Sequence, residues 1–202
     1  MNRENIFTIP NFLSLYRLLA FPGILYLIVA RKESLFGVFL VINLVTDILD
    51  GFLARILKQR TELGARLDSA ADDLTYTLAI IGIFVFKQEV MIPHLESFII
   101  FVIFLVLPIL LSLIKFGRLP SFHLYSTKVG GYVEGFFFIL LFTGHFFEPF
   151  YYFMVIWGIL ASLEHIAIQA ILPEMRSDVR GLLWVLKEED MRQKDKSPGA
   201  GR

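Results

Sequence analysis

The chain has 202 residues, of which 56% are hydrophobic and 15% aromatic, with 21 Phe and a mean hydropathy of +0.66. Charged residues make up 19%, against about 25% in an ordinary soluble domain, and the 19 basic side chains balance 19 acidic ones, so no net basic field points to nucleic acid. Cysteine is absent, which excludes disulfides, thiolate catalysis and cysteine–zinc sites.

Six apolar runs approach the roughly 17–25 residues that a helix needs to cross a bilayer. They cover 12–30, 35–57, 67–86, 98–114, 130–147 and 150–172. The expected fold is therefore an all-α integral membrane protein, a six-transmembrane-helix bundle. A single membrane domain, 1–175, is followed by a polar cytoplasmic tail, 176–202.

In chain order, "NRENIFTIPN" reads as a short interfacial segment, with Pro10 and Asn11 at the entry to the first span. That span lacks a small-residue cleavage site and continues to about membrane length, so a cleaved signal peptide is not expected. Arg17 lies within it. Pro22 and Pro108 fall inside spans, where kinks are tolerated. "RKE" (31–33) and "HFFEPF" (145–150) read as short outer loops, and "KFGRLPSFHLYSTKVGG" as the longest inner connection. The C-terminal "KEEDMRQKDKSPGAGR" has mixed charge and is expected to be disordered. No internal repeat is visible.

Orientation follows from the basic residues. With both termini cytoplasmic, the inner segments hold Arg3, Arg55, Lys58, Arg60, Arg66, Lys115, Arg118, Lys128, Arg176, Arg180, Lys187, Arg192, Lys194, Lys196 and Arg202. The outer loops hold Arg31, Lys32 and Lys87. Fifteen against three is a clear positive-inside bias.

Between the second and third runs lies "DILDGFLARILKQRTELGARLDSAAD", with Asp47, Asp50, Asp68 and Asp72 beside hydrocarbon. Carboxylates there are costly unless a cation or a water-filled cavity compensates them. At about 100° per residue, Asn43, Asp47, Asp50, Gly51 and Ala54 share one helix face. After the turn "LKQRTEL", Gly64, Asp68 and Asp72 fall within about 80° of one another on the next helix. Two antiparallel helices then direct four carboxylates into one cleft, with glycines and Ala54 leaving space. Oxygen-only ligands favour hard divalent cations, magnesium, manganese or calcium. Two such ions would neutralise four carboxylates and attract a pyrophosphate. The competing view, solvated turn aspartates, does not account for phasing on two faces.

The stretch fits D-x2-D-G-x2-A-R-x8-G-x3-D-x3-D without a gap, and it resembles the signature of the CDP-alcohol phosphotransferase family, integral membrane enzymes of phospholipid synthesis. "TIPNFLSLYRLLAFP" also resembles that family's opening, so the likeness covers about 8–172. The resemblance implies a six-helix homodimer embedded in membrane lipid. It further implies transfer of a phosphatidyl group from a CDP-linked lipid, CDP-diacylglycerol, to an alcohol acceptor with release of CMP. Carried onto this chain, Asp47, Asp50, Asp68 and Asp72 would hold two divalent cations, Mg2+ or Mn2+, with Ca2+ as a third candidate. Gly51, Ala54, Arg55 and Gly64 would contact the cytidine diphosphate part. Asp72 would also be the general base for the acceptor hydroxyl. One departure from the family pattern is Asp73, where a basic residue is common; on a helix it is rotated away from Asp72.

The acceptor would enter from the cytoplasm. Arg118, His123, Tyr125, Ser126 and Lys128, with Arg17, are candidate contacts. Arg118 and Lys128 suit an acceptor phosphate, such as that of glycerol 3-phosphate or inositol 1-phosphate. Glu134, Glu164 and His165 are in-span polar groups that line a cavity or bond between helices, and the second role is expected. Two alternatives remain at this point: a membrane prenyltransferase, against which the D-G-x2-A-R element speaks, and a divalent-cation transporter, which lacks the usual duplicated halves here. The short chain without a targeting segment suggests a prokaryotic inner membrane, with the site facing the cytoplasm.

Overall fold

A computed structural model describes residues 8–59, 61–118, 124–174 and 179–196. Arg3, Arg60, His123, Arg176 and Arg202, named above, lie outside them. The described residues form helices without strands: α1 (Ile9–Val29), α2 (Glu33–Ile56), α3 (Glu62–Phe86), a short α4 (Gln88–Met91) running into a 3-10 turn (Ile92–His94), α5 (Leu95–Phe116), α6 (Tyr125–Phe142), α7 (Glu148–Ile171) and α8 (Leu182–Lys196). Among the described residues, five helices are long and apolar enough to cross a membrane: Ile9–Val29, Glu33–Ile56, Leu63–Phe86, Gln88–Phe116 and Glu148–Ile171. The remaining expected span, 130–147, is not among them: it overlaps α6 only through Phe142, and α6 starts earlier, at Tyr125. Its first turns carry Ser126, Thr127, Lys128 and Glu134 and dilute its hydrophobicity.

The chain divides into two compact units: Met1–Pro93 with Gly135–Phe146, and His94–Glu134 with Phe147–Arg202. In the first, α1 lies against both α2 and α3. Thr8 caps α1 by accepting from the Asn11 N–H at 3.3 Å, and Pro10 sits in the first turn, where its missing N–H costs nothing. Thr61 caps α3 in the same way, accepting from Gly64 N–H at 2.9 Å. Large apolar side chains point outward (Phe12, Leu19 and Val29 are at least 70% exposed), while Asn11, Ser14, Arg17, Asn43, Asp50 and Thr75 are buried. That inversion suits a lipid surround, where polar groups must be satisfied inside the bundle. At the far end of these helices, Phe36 meets Phe142 edge-on at 5.1 Å and Lys87 pairs with Glu33 at 2.8 Å.

In the second unit α5 packs along α7. Gly158 leaves room for the Phe101 ring, which a Cβ there would strike. Ser97 and the Tyr151 hydroxyl are hydrogen-bonded at 2.8 Å, Gln169 donates to the Pro108 carbonyl at 2.9 Å, and Lys115 donates to the Gln169 carbonyl at 2.6 Å. Within the C-terminal stretch expected to be disordered, residues 187–196 are instead the end of α8, which is helical through Lys196, and 197–202 lie outside the described residues. The first turn of α8 is tied down: Glu164 accepts from Leu182 N–H at 2.8 Å, and Val185 packs with Leu124, Ile168, Leu172 and Val179.

Candidate active site

All four motif aspartates lie in the first unit, and α2 and α3 bring them to one place as the helical phasing requires. Oxygens of Asp47, Asp50 and Asp68 lie within 4.8 Å of one another. At the centre is Arg17 from α1, with a fully buried side chain. Its Nη1 donates to Asp47 Oδ1 at 2.8 Å and Asp72 Oδ1 at 2.5 Å. Its Nη2 donates to Asp50 Oδ2 at 2.5 Å and Asp68 Oδ1 at 2.7 Å. One planar fork thus reaches four carboxylates, a geometry that a lysine could not reproduce. Asp50 is 3% exposed and forms the floor with Arg17, while Asp47, Asp68 and Asp72 are 31–40% exposed and form the mouth. Ser14 donates to Asp50 Oδ2 at 3.2 Å.

One guanidinium balances one of four carboxylates and leaves a formal charge of −3 in a half-buried cleft. Oxygen donors, convergence and residual charge all fit hard divalent cations. Asn43, one turn before Asp47, adds a further polar group on that face: it is 1% exposed, and neither amide atom has a partner among the described residues.

The remaining motif residues differ in what surrounds them. A Cβ on Gly51 would meet nothing nearer than Arg55 Nη2 at 3.9 Å, so that side of α2 is open. Arg55 is exposed and folds back, its Nε donating to the Gly51 carbonyl at 2.8 Å. Ala54 is half-buried. Gly64 is different: a Cβ there would run into Asn11 Oδ1, and Asn11 Nδ2 donates to Thr61 Oγ1 at 3.1 Å. Its bare Cα therefore already serves the α1–α3 crossing. Asp73 is exposed and outside the cluster.

Of the expected acceptor contacts, Arg17 is drawn into the aspartate cluster instead. Arg118 and Lys128 are exposed in the second unit, where Lys128 Nζ lies 5.8 Å from the Tyr125 ring centre. Ser126 donates to Glu164, and its carbonyl accepts from Trp157 Nε1 at 3.0 Å, so both hold helices together. For Glu164 the helix-bonding role is therefore the one observed. The sequence did contain a signal for Arg17: Asn11, Ser14 and Arg17 recur every third residue as the polar stripe of an otherwise apolar helix.

Comparison with known proteins bears on this site. A model of the CDP-alcohol phosphatidyltransferase family matches residues 7–165. Among curated proteins, a Mycobacterium tuberculosis protein provisionally named cardiolipin synthase is 39% identical over 75 residues, 37% of this chain and 36% of its own. The human cardiolipin synthase (CMP-forming) is 40% identical over 82 residues, 40% of this chain and 27% of its own. A CDP-diacylglycerol–glycerol-3-phosphate 3-phosphatidyltransferase of Cereibacter sphaeroides is 40% identical over 78 residues, 37% of this chain and 35% of its own. The matched stretches thus span about a third of these relatives. No solved structure matches.

Proposed function

This chain belongs to the CDP-alcohol phosphatidyltransferase family, and we propose that it transfers a phosphatidyl group from CDP-diacylglycerol to a phosphate-bearing alcohol, releasing CMP. The observation that carries this reading is the convergence of all four motif aspartates beside the open face of Gly51. Family membership favours it over the prenyl-transfer and cation-transport alternatives.

In this reading Asp47, Asp50, Asp68 and Asp72 hold two divalent cations, Mg2+ or Mn2+. Bound there, the cations neutralise the pyrophosphate and stabilise the charge that develops at phosphorus. The chain's own groups do the positioning on which phosphoryl transfer mainly depends. Gly51 and Ala54 give the cytidine diphosphate close access to α2, with Arg55 beside it and Gly64 offering backbone only. Asp72 takes the proton of the acceptor hydroxyl as that oxygen attacks the phosphorus bearing diacylglycerol. The bond from that phosphorus to the bridging oxygen breaks, and CMP leaves with the electron pair. Arg118 and Lys128 are the basic groups proposed for the acceptor phosphate.

Glycerol 3-phosphate is the acceptor we favour, as named for the Cereibacter relative. The two relatives named for cardiolipin support a second choice, a glycerol already attached to a phosphatidyl group. We further propose six spans with both termini and the site on the cytoplasmic side, an orientation supported by the positive-inside bias, in a prokaryotic inner membrane. Purified protein given magnesium, CDP-diacylglycerol and separate glycerol 3-phosphate, inositol 1-phosphate, inositol, serine and phosphatidylglycerol should yield one new phospholipid by mass spectrometry. The absence of product with every acceptor would sink the assignment.

A further inference from the structure

Arg17 sits where cations are expected. Its two terminal nitrogens contact one oxygen from each of four aspartates at 2.5–2.8 Å, and its side chain has no exposure. Removing a guanidinium from water to this depth is costly, and only the carboxylates around it repay that cost. Conversely, four carboxylates without it would repel one another within a few ångströms. Each side holds the other in place. The carboxylates belong to α2 and α3, so a side chain of α1 sets the spacing between two other helices.

A hard divalent cation needs oxygens from this same set. If it used the oxygens that Arg17 contacts, the two would compete directly. If it used the remaining oxygens, it would still lie within a few ångströms of a like charge in a half-buried cleft. Both arrangements weaken cation binding.

We propose that Arg17 is a positioning residue, an internal counter-ion that keeps the four carboxylates converged and gives way as divalent cations bind. The inference rests on the reading that these aspartates take cations, and it adds what that reading lacks: a reason why an acidic cleft at the membrane stays assembled, and a coupling between cation binding and α1. Because linkage is reciprocal, whatever strengthens the Arg17 contacts weakens the cations, and the reverse. A salt bridge serving stability alone would show no such exchange.

The test uses the full chain in detergent with Mn2+ alone as the probe. Free Mn2+ is counted by electron paramagnetic resonance, and melting temperature is recorded in chelator and in saturating Mn2+. Arg17→Gln keeps a polar side chain of similar length without the charge. It should bind Mn2+ about tenfold more tightly or better, melt lower than the unaltered protein in chelator, and recover most of that deficit in Mn2+. Arg17→Lys retains the charge without the fork and should tighten Mn2+ binding less. Folding of Arg17→Gln in Mn2+ but not in chelator also supports the exchange; if it folds in neither, the comparison passes to Arg17→Lys. Unchanged or weaker Mn2+ affinity in the folded variant, with equal melting deficits in both media, would overturn the inference. Saturable Mn2+ binding indifferent to Arg17 removes only this inference, whereas no binding to any of the three proteins removes the metal reading beneath it.

Discussion

Asp72 and Gly64 carry the residue-scale consequences. Asp72→Asn retains the shape and one oxygen for Arg17 Nη1 but loses the charge that accepts a proton, so turnover should fall by about 10²–10⁴-fold. CDP-diacylglycerol binding, measured separately by calorimetry, should survive in large part; unchanged turnover would remove Asp72 as the base. Gly64→Ala forces a methyl into Asn11 and should destabilise the protein by about 1–3 kcal/mol. The double variant with Asn11→Ala should recover part of that loss, a coupling readable from melting temperatures. The aspartates were legible in the sequence because helical phasing alone places Asp47 with Asp50 and Asp68 with Asp72. The partners of Arg17 were not: its polar stripe marks a face of α1, but nothing local says which groups meet that face, and its farthest partner is 55 residues away.

Among the elements, α8 shows where composition misleads. Its mixed charges resemble a disordered tail, yet its order comes from tertiary contacts at its first turn, which local sequence does not reveal. Glu164 is the hinge of that docking, holding Ser126 on α6 and Leu182 N–H together. Glu164→Ala leaves both donors without their partner and should cost about 1–3 kcal/mol. Limited proteolysis should then cut at 182–196 before the rest of the chain; an unchanged digestion pattern would deny Glu164 that role. Helix α6 teaches a related lesson. The 130–147 window catches its apolar end, whereas the helix begins at Tyr125 with polar turns.

For the molecule as a whole, the apolar runs and basic loops were enough to foresee a helical membrane protein, because hydrocarbon permits few other ways to satisfy the backbone. The division into two units was hidden, since it depends on α6 contributing residues to both. The proposed orientation can be checked cleanly because the chain has no native cysteine. Lys58→Cys should react with an impermeant maleimide only in inside-out vesicles, and Lys32→Cys only in right-side-out ones; the opposite pattern would invert the topology.

The most direct measurement of the central claim is CMP release from CDP-diacylglycerol by the purified chain with glycerol 3-phosphate or phosphatidylglycerol as acceptor, before chelation, after it, and after magnesium is restored. CMP should form in step with phospholipid, disappear on chelation, return with magnesium and fall by about 10²–10⁴-fold in Asp72→Asn. CMP release that is indifferent to chelation, or none with either acceptor, would contradict that claim.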